Sequence, residues 1–391
     1  MVLLIIFLVG IALPFAGQLS GISQPVSENI ENRRAAAFPE MQFREHGPIL
    51  WPRKQSLVEF PEKFEAYYND HLGFRREMVR CYNLARLYGV APEMLASPGM
   101  GEKQGSPVLV GRDGWLYFNR QGSLETFRCA KLFSQADLDQ WETVLRQRRD
   151  WLAAKGIHYV VIVAPEKPTI YPEFLPRSLH RVGKVSRLDQ LLEHVQKRAS
   201  GINVVDVRGP LLEAKDTYPT YFRTDTHWNS FGAYIAYQHL MQAISAGVPG
   251  VAPAWPLADF DIELQQIPGM DLARMLDSLM PPGDVNVAFT PRRPRETVRK
   301  TRPPVAGSRA CARTTNAAAP PVHAFVLHDS FYIGMMPFFE EHWRQVDYYW
   351  MYDFPHQAID RERPQVVVQE LVERSLTLYG PENPPELMAT P

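Results

Sequence analysis

The spacing of hydrophobic positions changes several times along this chain, and each change predicts an element. Residues 1–17, MVLLIIFLVGIALPFAG, form a nearly unbroken apolar run without a charge. Such a run is slightly short for a full membrane span. It also lacks the basic n-region and the small-x-small cleavage site of a secretory leader. It predicts an uncleaved signal anchor, with a cleaved signal peptide as the alternative, and either one exports the body of the protein. The polar stretch SGISQPVSENIENRRAAAFPEM that follows reads as a tether. Phe64, Tyr67, Tyr68 and Leu72, then Met78, Tyr82, Leu84 and Leu87, recur with helical spacing on either side of Gly73. Residues 18–105 are therefore a tether and a helical module of two helices.

From about residue 106 onward strands alternate with helices. VLVGRDGWLYF surrounds a tight-turn signal at Arg112-Asp113-Gly114 and predicts a hairpin. In SQADLDQWETVLRQRRDWLAAKG, Ser134 and Asp137 stand at capping-box spacing. Leu138, Trp141, Leu145 and Leu152 give that helix one apolar face. HYVVIVAPEK is a continuously apolar strand, fit for a parallel sheet buried on both faces. VSRLDQLLEHVQKRAS is helical, INVVDV is a strand, and NSFGAYIAYQHLMQAISAG is a helix that Asn229 caps. HAFVLHDSFYIGMMPFFEEHW reads as strand, turn and helix, VDYYWMY as a strand, and PQVVVQELVERSL as a last strand entering a helix. This alternation predicts an α/β domain with a mainly parallel sheet over residues 106–391.

The pattern lapses between about 248 and 321. Residues 281–321 are rich in Pro, Arg and Ala and carry Arg292, Arg293, Arg295, Arg299, Lys300, Arg302, Arg309 and Arg313. Composition favours a solvated, poorly ordered insertion. The weaker alternative is a surface that attracts an anionic polymer.

Bulk charge adds little. Forty-two basic residues against 43 acidic ones leave a net charge of -1, which gives no global pull toward nucleic acid or lipid. Cys81, Cys129 and Cys311 lack metal-finger spacing and leave one disulfide plus a free thiol open, without choosing the pair.

Chemistry concentrates in two places. In AFVLHDSF an apolar strand stops at His328, Asp329 and Ser330 before a helical stretch. A serine at a strand-to-helix turn is where α/β hydrolytic folds hold a nucleophile, and amides at the helix start can face an oxyanion. Such a serine is more often a simple N-cap. In TDTHWNSFGAY, Asp225 and His227 are one spacer apart. A serine hydroxyl needs an imidazole to take its proton, and the imidazole needs a carboxylate to fix its tautomer. Both segments fall at the carboxyl ends of strands, where open α/β sheets build their sites. A metal site from Asp225, His227, His328 and Asp329 is the weaker reading, because no helical H-x-x-x-H pair or cysteine supports it. Trp228 is either a core aromatic or a wall that shields the imidazole or stacks on a sugar.

The T-D-T-H-W-N segment, with H-D-S-F about 100 residues later, resembles the SGNH hydrolase-like domain of the alginate O-acetylation family of AlgX and AlgJ. VGRDGWLYF, VIVAPEKPTIYPEFLP, IPGMDLARML and VVVQELVERSL resemble further parts of that family. ENRRAAAFPE and YYNDHLGFR resemble the leader of its membrane-tethered members. The resemblance covers nearly the whole chain after the apolar run, except the basic stretch. It implies an SGNH hydrolase-like three-layer α/β sandwich with the acid–histidine block ahead of the serine block. It also implies a periplasmic O-acetyltransferase of exopolysaccharide biosynthesis, without a cofactor, served by a multi-pass membrane protein of the MBOAT type that delivers acetyl groups. Carried over by position, Ser330 is the nucleophile, His227 the general base and Asp225 its orienting acid. Trp228, Asn229, Lys167 and Tyr171 are weaker candidates for holding substrate. No carbohydrate-binding module is evident, which fits the tethered type. An acetyl esterase with the same triad, and a non-catalytic envelope scaffold or glycan-binding component, are the alternatives.

Overall fold

The computed structural model describes residues 36–46, 49–88, 106–198, 200–305 and 307–388, with isolated positions within 12–17. The apolar N-terminal run, and with it the expected anchor, lies almost wholly outside the described residues. Among the described residues no helix is long and apolar enough to cross a membrane.

The chain forms two compact units, Met1–Leu95 with Asp271–Pro282, and Ala96–Met270 with Gly283–Pro391. In the first, β1 (Phe43–His46) and β2 (Ile49–Pro52) pair antiparallel. Two helices follow, α1 (Lys54–His71) and α2 (Arg75–Tyr88). The break between them comes at Leu72, in extended backbone, and Phe74, at positive φ. Phe38 packs edge-on to Phe60, Phe64 and Tyr67. Arg76 and Arg80 each pair with Asp277, and the Asn83 amide donates to the Leu276 carbonyl.

The second unit holds the large sheet. It opens with the hairpin of β3 (Val108–Val110) and β4 (Leu116–Phe118), whose turn places Asp113 and Gly114 at positive φ. The strands of the main sheet are β5 (His158–Ala164), β6 (Val204–Asp206), β9 (Val298–Arg302), β10 (Cys311–Thr315), β11 (His323–His328), β12 (Gln345–Trp350) and β13 (Val366–Val372). Their order is β6-β5-β13-β11-β12-β10-β9. The first five are mutually parallel, and β10 and β9 add on antiparallel. A separate hairpin joins β7 (Phe260–Ile267) to β8 (Asp284–Pro291).

Alternation along the strands builds three layers. Val160, Ile162 and Ala164 of β5, with Val326 of β11 and Val366 and Val368 of β13, face a core shared with Phe231, Tyr234, Tyr237 and Leu240 of α5 (Ser230–Ser245). Tyr159, Val161 and Val163, with Phe325, Leu327 and Val367, face the opposite core. There they meet Leu138, Trp141, Leu145 and Leu152 of α3 (Gln135–Ala153) and Leu188, Leu191 and Val195 of α4 (Arg187–Lys197). Capping boxes at Ser134–Asp137 and Ser186–Asp189 start α3 and α4. The continuous apolar run of β5 is thus explained by burial on both faces.

One expectation is corrected, and one open point is closed. The basic stretch is not an unstructured insertion, since it supplies β8, β9 and β10. Five of its eight basic residues named above pair with carboxylates distant in sequence: Arg292 with Asp261, Arg293 with Asp259, Arg299 with Glu340, and Arg302 and Arg313 with Asp347 and Glu362. Asp347 is fully buried, and the hydrogen bonds it accepts from His323 and Arg313 outweigh its burial and hold its carboxyl well below the usual range. Cys81, Cys129 and Cys311 are all free thiols, so no pair closes a disulfide.

Candidate active site

The strand β11 ends at His328, and a 3-10 turn begins at Phe331. Between them Ser330 leaves the sheet at its carboxyl edge. Ser330 Oγ lies 2.8 Å from Nε2 of His227, across 103 positions of sequence. The other ring nitrogen, Nδ1, lies 2.6 Å from Oδ1 of Asp225, and the same oxygen accepts the His227 amide at 2.9 Å. This fixes one tautomer. Nδ1 carries the proton that Asp225 accepts, and Nε2 is left to accept the serine proton. Burial raises the Asp225 carboxyl, but the hydrogen bonds and charge of His227 outweigh it and hold the group below its ordinary range, as a carboxylate. The His227 side chain is 28% exposed against 8% for Asp225, so the imidazole faces solvent while its acid is screened from it.

The loop that carries Asp225 and His227 has little regular structure, so its backbone groups need partners from elsewhere. The Lys167 ammonium provides three bonds, to the carbonyls of Phe222 and Arg223 at 3.2 Å each and of Asp225 at 2.6 Å. Asp284, at the start of β8, accepts from the Arg223 amide at 3.0 Å, the Thr224 amide at 2.6 Å and the Thr224 hydroxyl at 2.5 Å. A bridge between Tyr221 and Trp228 and a bond from the Asn229 amide to Thr220 O close the loop. The loop reaches the serine turn directly, because Trp228 Nε1 donates to Phe331 O at 2.9 Å. The His227 and Phe331 rings also pack 4.7 Å apart.

Gly232, just inside α5, makes the close approach possible. A Cβ there would sit 2.1 Å from Thr220 O and 2.9 Å from Trp228 Cβ. Asn229 Oδ1 caps α5 by accepting from Phe231 and Gly232 amides, while its Nδ2 donates to Pro219 O.

The structure thus brings Ser330, His227 and Asp225 together and puts the other four candidates behind them. Trp228, Asn229, Lys167 and Tyr171 are all buried, at 5% exposure or less. Tyr171 accepts the Thr220 amide at 2.8 Å, and its hydroxyl faces Thr220 Oγ1. In the structure all four hydrogen-bond to the loop or to the serine turn. His328 and Asp329, weighed as metal ligands, are hydrogen-bonded into the serine turn. His328 Nδ1 lies 2.7 Å from Asp329 O, and burial pushes the His328 imidazole down to about 4. Sequence reasoning missed Asp284, which lies in the stretch read as poorly ordered, and Glu370, the one charged residue inside the buried β13. Only Glu370 carried a signal, because a charged residue within a wholly buried strand calls for a partner.

Comparison with known proteins fits this geometry. The family model described as the SGNH hydrolase-like domain of acetyltransferase AlgX matches residues 108–322, more than half of the chain. The chain belongs to this family. The matched region contains Asp225 and His227, and Ser330 lies just beyond its end. "Probable alginate O-acetylase AlgJ" of Pseudomonas aeruginosa is 35% identical over 138 residues, covering 35% of this chain and 33% of that protein. The protein of the same name from Pseudomonas fluorescens is 36% identical over 152 residues, covering 37% and 36%. The chain therefore aligns with about a third of the length of these AlgX-family relatives. Among solved structures, Bacillus cereus PatB1 superposes with a TM-score of 0.55 at 17% identity, over 70% of this chain and 97% of that one. That likeness shows a shared fold.

Proposed function

We propose that this protein is an O-acetyltransferase that moves acetyl groups to hydroxyls of an exopolysaccharide, alginate-like, through an acetyl-Ser330 intermediate. The observation that carries the reading is the unbroken line of hydrogen bonds from Ser330 Oγ through His227 to Asp225, in a chain of the AlgX family. The two relatives named as alginate O-acetylases support the substrate class.

On this reading the chemistry has two halves. Ser330 Oγ attacks the donor's acetyl carbonyl while its proton passes to His227 Nε2. The new C–O bond pushes an electron pair onto the carbonyl oxygen. Collapse of that oxyanion expels the donor's leaving group, which takes the proton from Nε2. A sugar hydroxyl then attacks the acetyl-serine, gives its proton to Nε2, and leaves as the acetyl ester as the proton returns to Ser330 Oγ. Asp225 holds the imidazole's orientation and stabilises its charge in both halves. The Ser330 amide is the natural oxyanion donor, since among the described residues it donates to no protein group. The family resemblance further suggests a multi-pass MBOAT-type membrane protein as acetyl supplier. The apolar N-terminal run fits a tether that keeps the enzyme near it, on the periplasmic face of the inner membrane.

The test follows acetyl-ester turnover by the full chain with uronate and neutral oligosaccharides as acceptors, and mass spectrometry of the sugars. Wild type acetylates sugar, and S330A, H227A and D225A each lose about 10³-fold or more in kcat. Free acetate with no acetylated sugar would establish an esterase instead. Equal activity of wild type and S330A would refute the triad.

A further inference from the structure

The ladder between β11 and β13 runs from Ala324–Val366 to Leu327–Gln369 and stops there. Beyond that point the strands part just where Ser330 must be placed, and their backbone groups need other partners. Two carboxyl groups provide them. Asp329, the residue before the serine, accepts the Phe331 amide through Oδ1 and the Val372 amide through Oδ2, each at 2.9 Å. Glu370 Oε2 accepts the amide of Asp329 itself at 2.9 Å. The turn is therefore tied to β13 at two points and to itself at a third. Both acids are almost wholly buried. Asp329 engages the Phe331 amide, and among the described residues the Ser330 amide donates to no protein group.

We propose that Asp329 and Glu370 are positioning residues of the serine turn, holding its backbone so that Ser330 Oγ meets His227 and the Ser330 amide stays available to a developing oxyanion. The inference rests on the reading of Ser330 as the nucleophile. It differs from a general packing role because the two acids must behave differently. Asp329 acts as an acceptor through both oxygens. An asparagine there turns an NH₂ group toward one of the two backbone amides and breaks that bond. Glu370 Oε2 accepts the Asp329 amide, and its Oε1 is buried without a hydrogen bond of normal geometry. A charge on that oxygen would lack solvation. Burial, reinforced by the Asp329 carboxylate, raises the Glu370 carboxyl far above its ordinary range and keeps it neutral. A glutamine has the shape and charge of that neutral acid and can take its place.

The experiment measures kcat, KM and Tm of the full chain on a chromogenic acetyl ester for wild type, D329N, E370A, E370Q and S330A. D329N is expected to lower kcat by about 10²-fold with KM little changed, the size of a lost oxyanion contact. E370A is expected to lower kcat about tenfold through misplacement of the turn, and E370Q to recover most of that loss. Wild-type kcat in D329N and E370A would overturn the proposal, as would an E370Q no better than E370A. If D329N does not fold, the E370A and E370Q pair decides alone. An S330A protein of full activity would instead remove the nucleophile assignment on which the inference stands.

Discussion

The loop carrying Asp225 and His227 is fastened by side chains that reach it from far along the chain, whereas the turn carrying Ser330 is fastened by its own neighbour and the adjacent strand. Lys167 and Asp284 hold the loop from roughly 60 positions away on either side. At the turn, Asp329 is next in sequence and Glu370 and Val372 belong to the neighbouring β13. The difference follows from where each segment starts. The turn inherits its place from a parallel sheet, so only its last few amides need fixing. The loop has no such frame, and its central backbone groups, from Phe222 to Asp225, depend on the remote side chains of Lys167 and Asp284. Damage to a loop support should therefore cost stability as well as rate, while damage at the turn should fall mainly on rate.

The strongest way to break this contrast is Lys167→Met. It keeps much of the side chain's bulk but strips three carbonyls of their donor in a buried place. A loss of about 1–3 kcal/mol for each carbonyl left buried without a donor is the expected scale, together with a fall in kcat. Urea unfolding measures the first and ester turnover the second. Wild-type stability in this variant would show that the loop holds itself. Gly232→Ala comes next, because its Cβ would collide with the backbone carbonyl of Thr220. An overpacking cost of about 1–3 kcal/mol is expected, seen as a lower Tm.

Much of this architecture is legible in the sequence, and the unread parts share one cause. The hairpin at Asp113-Gly114, the capping box at Ser134, the buried β5 and the Asn229 cap all follow from signals within a few residues of one another. So does the pairing of Asp225 with His227, and the turn at Ser330 follows from an apolar strand that stops. What local reading cannot find is a partner far away. Residues 281–321 look like a solvated insertion because their arginines outnumber nearby acids. In the fold, Asp347 and Glu362 neutralise Arg302 and Arg313 across the sheet. Asp284, which anchors the acid–histidine loop, was hidden by the same reading. Lys167 drew attention as a charged residue near a site, but its charge is spent on backbone carbonyls inside the protein.

A pH titration sharpens the contrast from the side of the turn. His328 closes β11 and is buried against Asp329, and burial lowers its imidazole to about 4 from an ordinary value near 6.5. Between those values the unfolded chain binds a proton that the folded chain does not. Stability therefore rises with pH across that window, is complete above about 6.5, and is lost as pH falls toward 4. One such group contributes a slope of about 1.4 kcal/mol per pH unit. His328→Asn removes the titration and retains an N–H donor for Asp329 O. Urea midpoints between pH 4 and 7 should show a shallower slope in this variant, and an unchanged slope would place the acid sensitivity elsewhere.

The smallest effect expected is at Asn229, where the loop becomes α5. Its side chain does two separate things. Oδ1 accepts the Phe231 and Gly232 amides at 3.0 and 3.1 Å, and Nδ2 donates to Pro219 O at 2.6 Å. Asn229→Ala loses both and should destabilise by about 1 kcal/mol, the usual cost of a lost N-cap. Asn229→Asp keeps the cap and adds a favourable charge at a helix N-terminus, but replaces the bond to Pro219 O with a carboxylate oxygen that repels that carbonyl. If the aspartate variant matches wild type, the cap is what matters and the bond across the loop is incidental. If it is as unstable as the alanine variant, the bond to Pro219 carries the stability, and the loop depends on Asn229 just as it depends on Lys167 and Asp284.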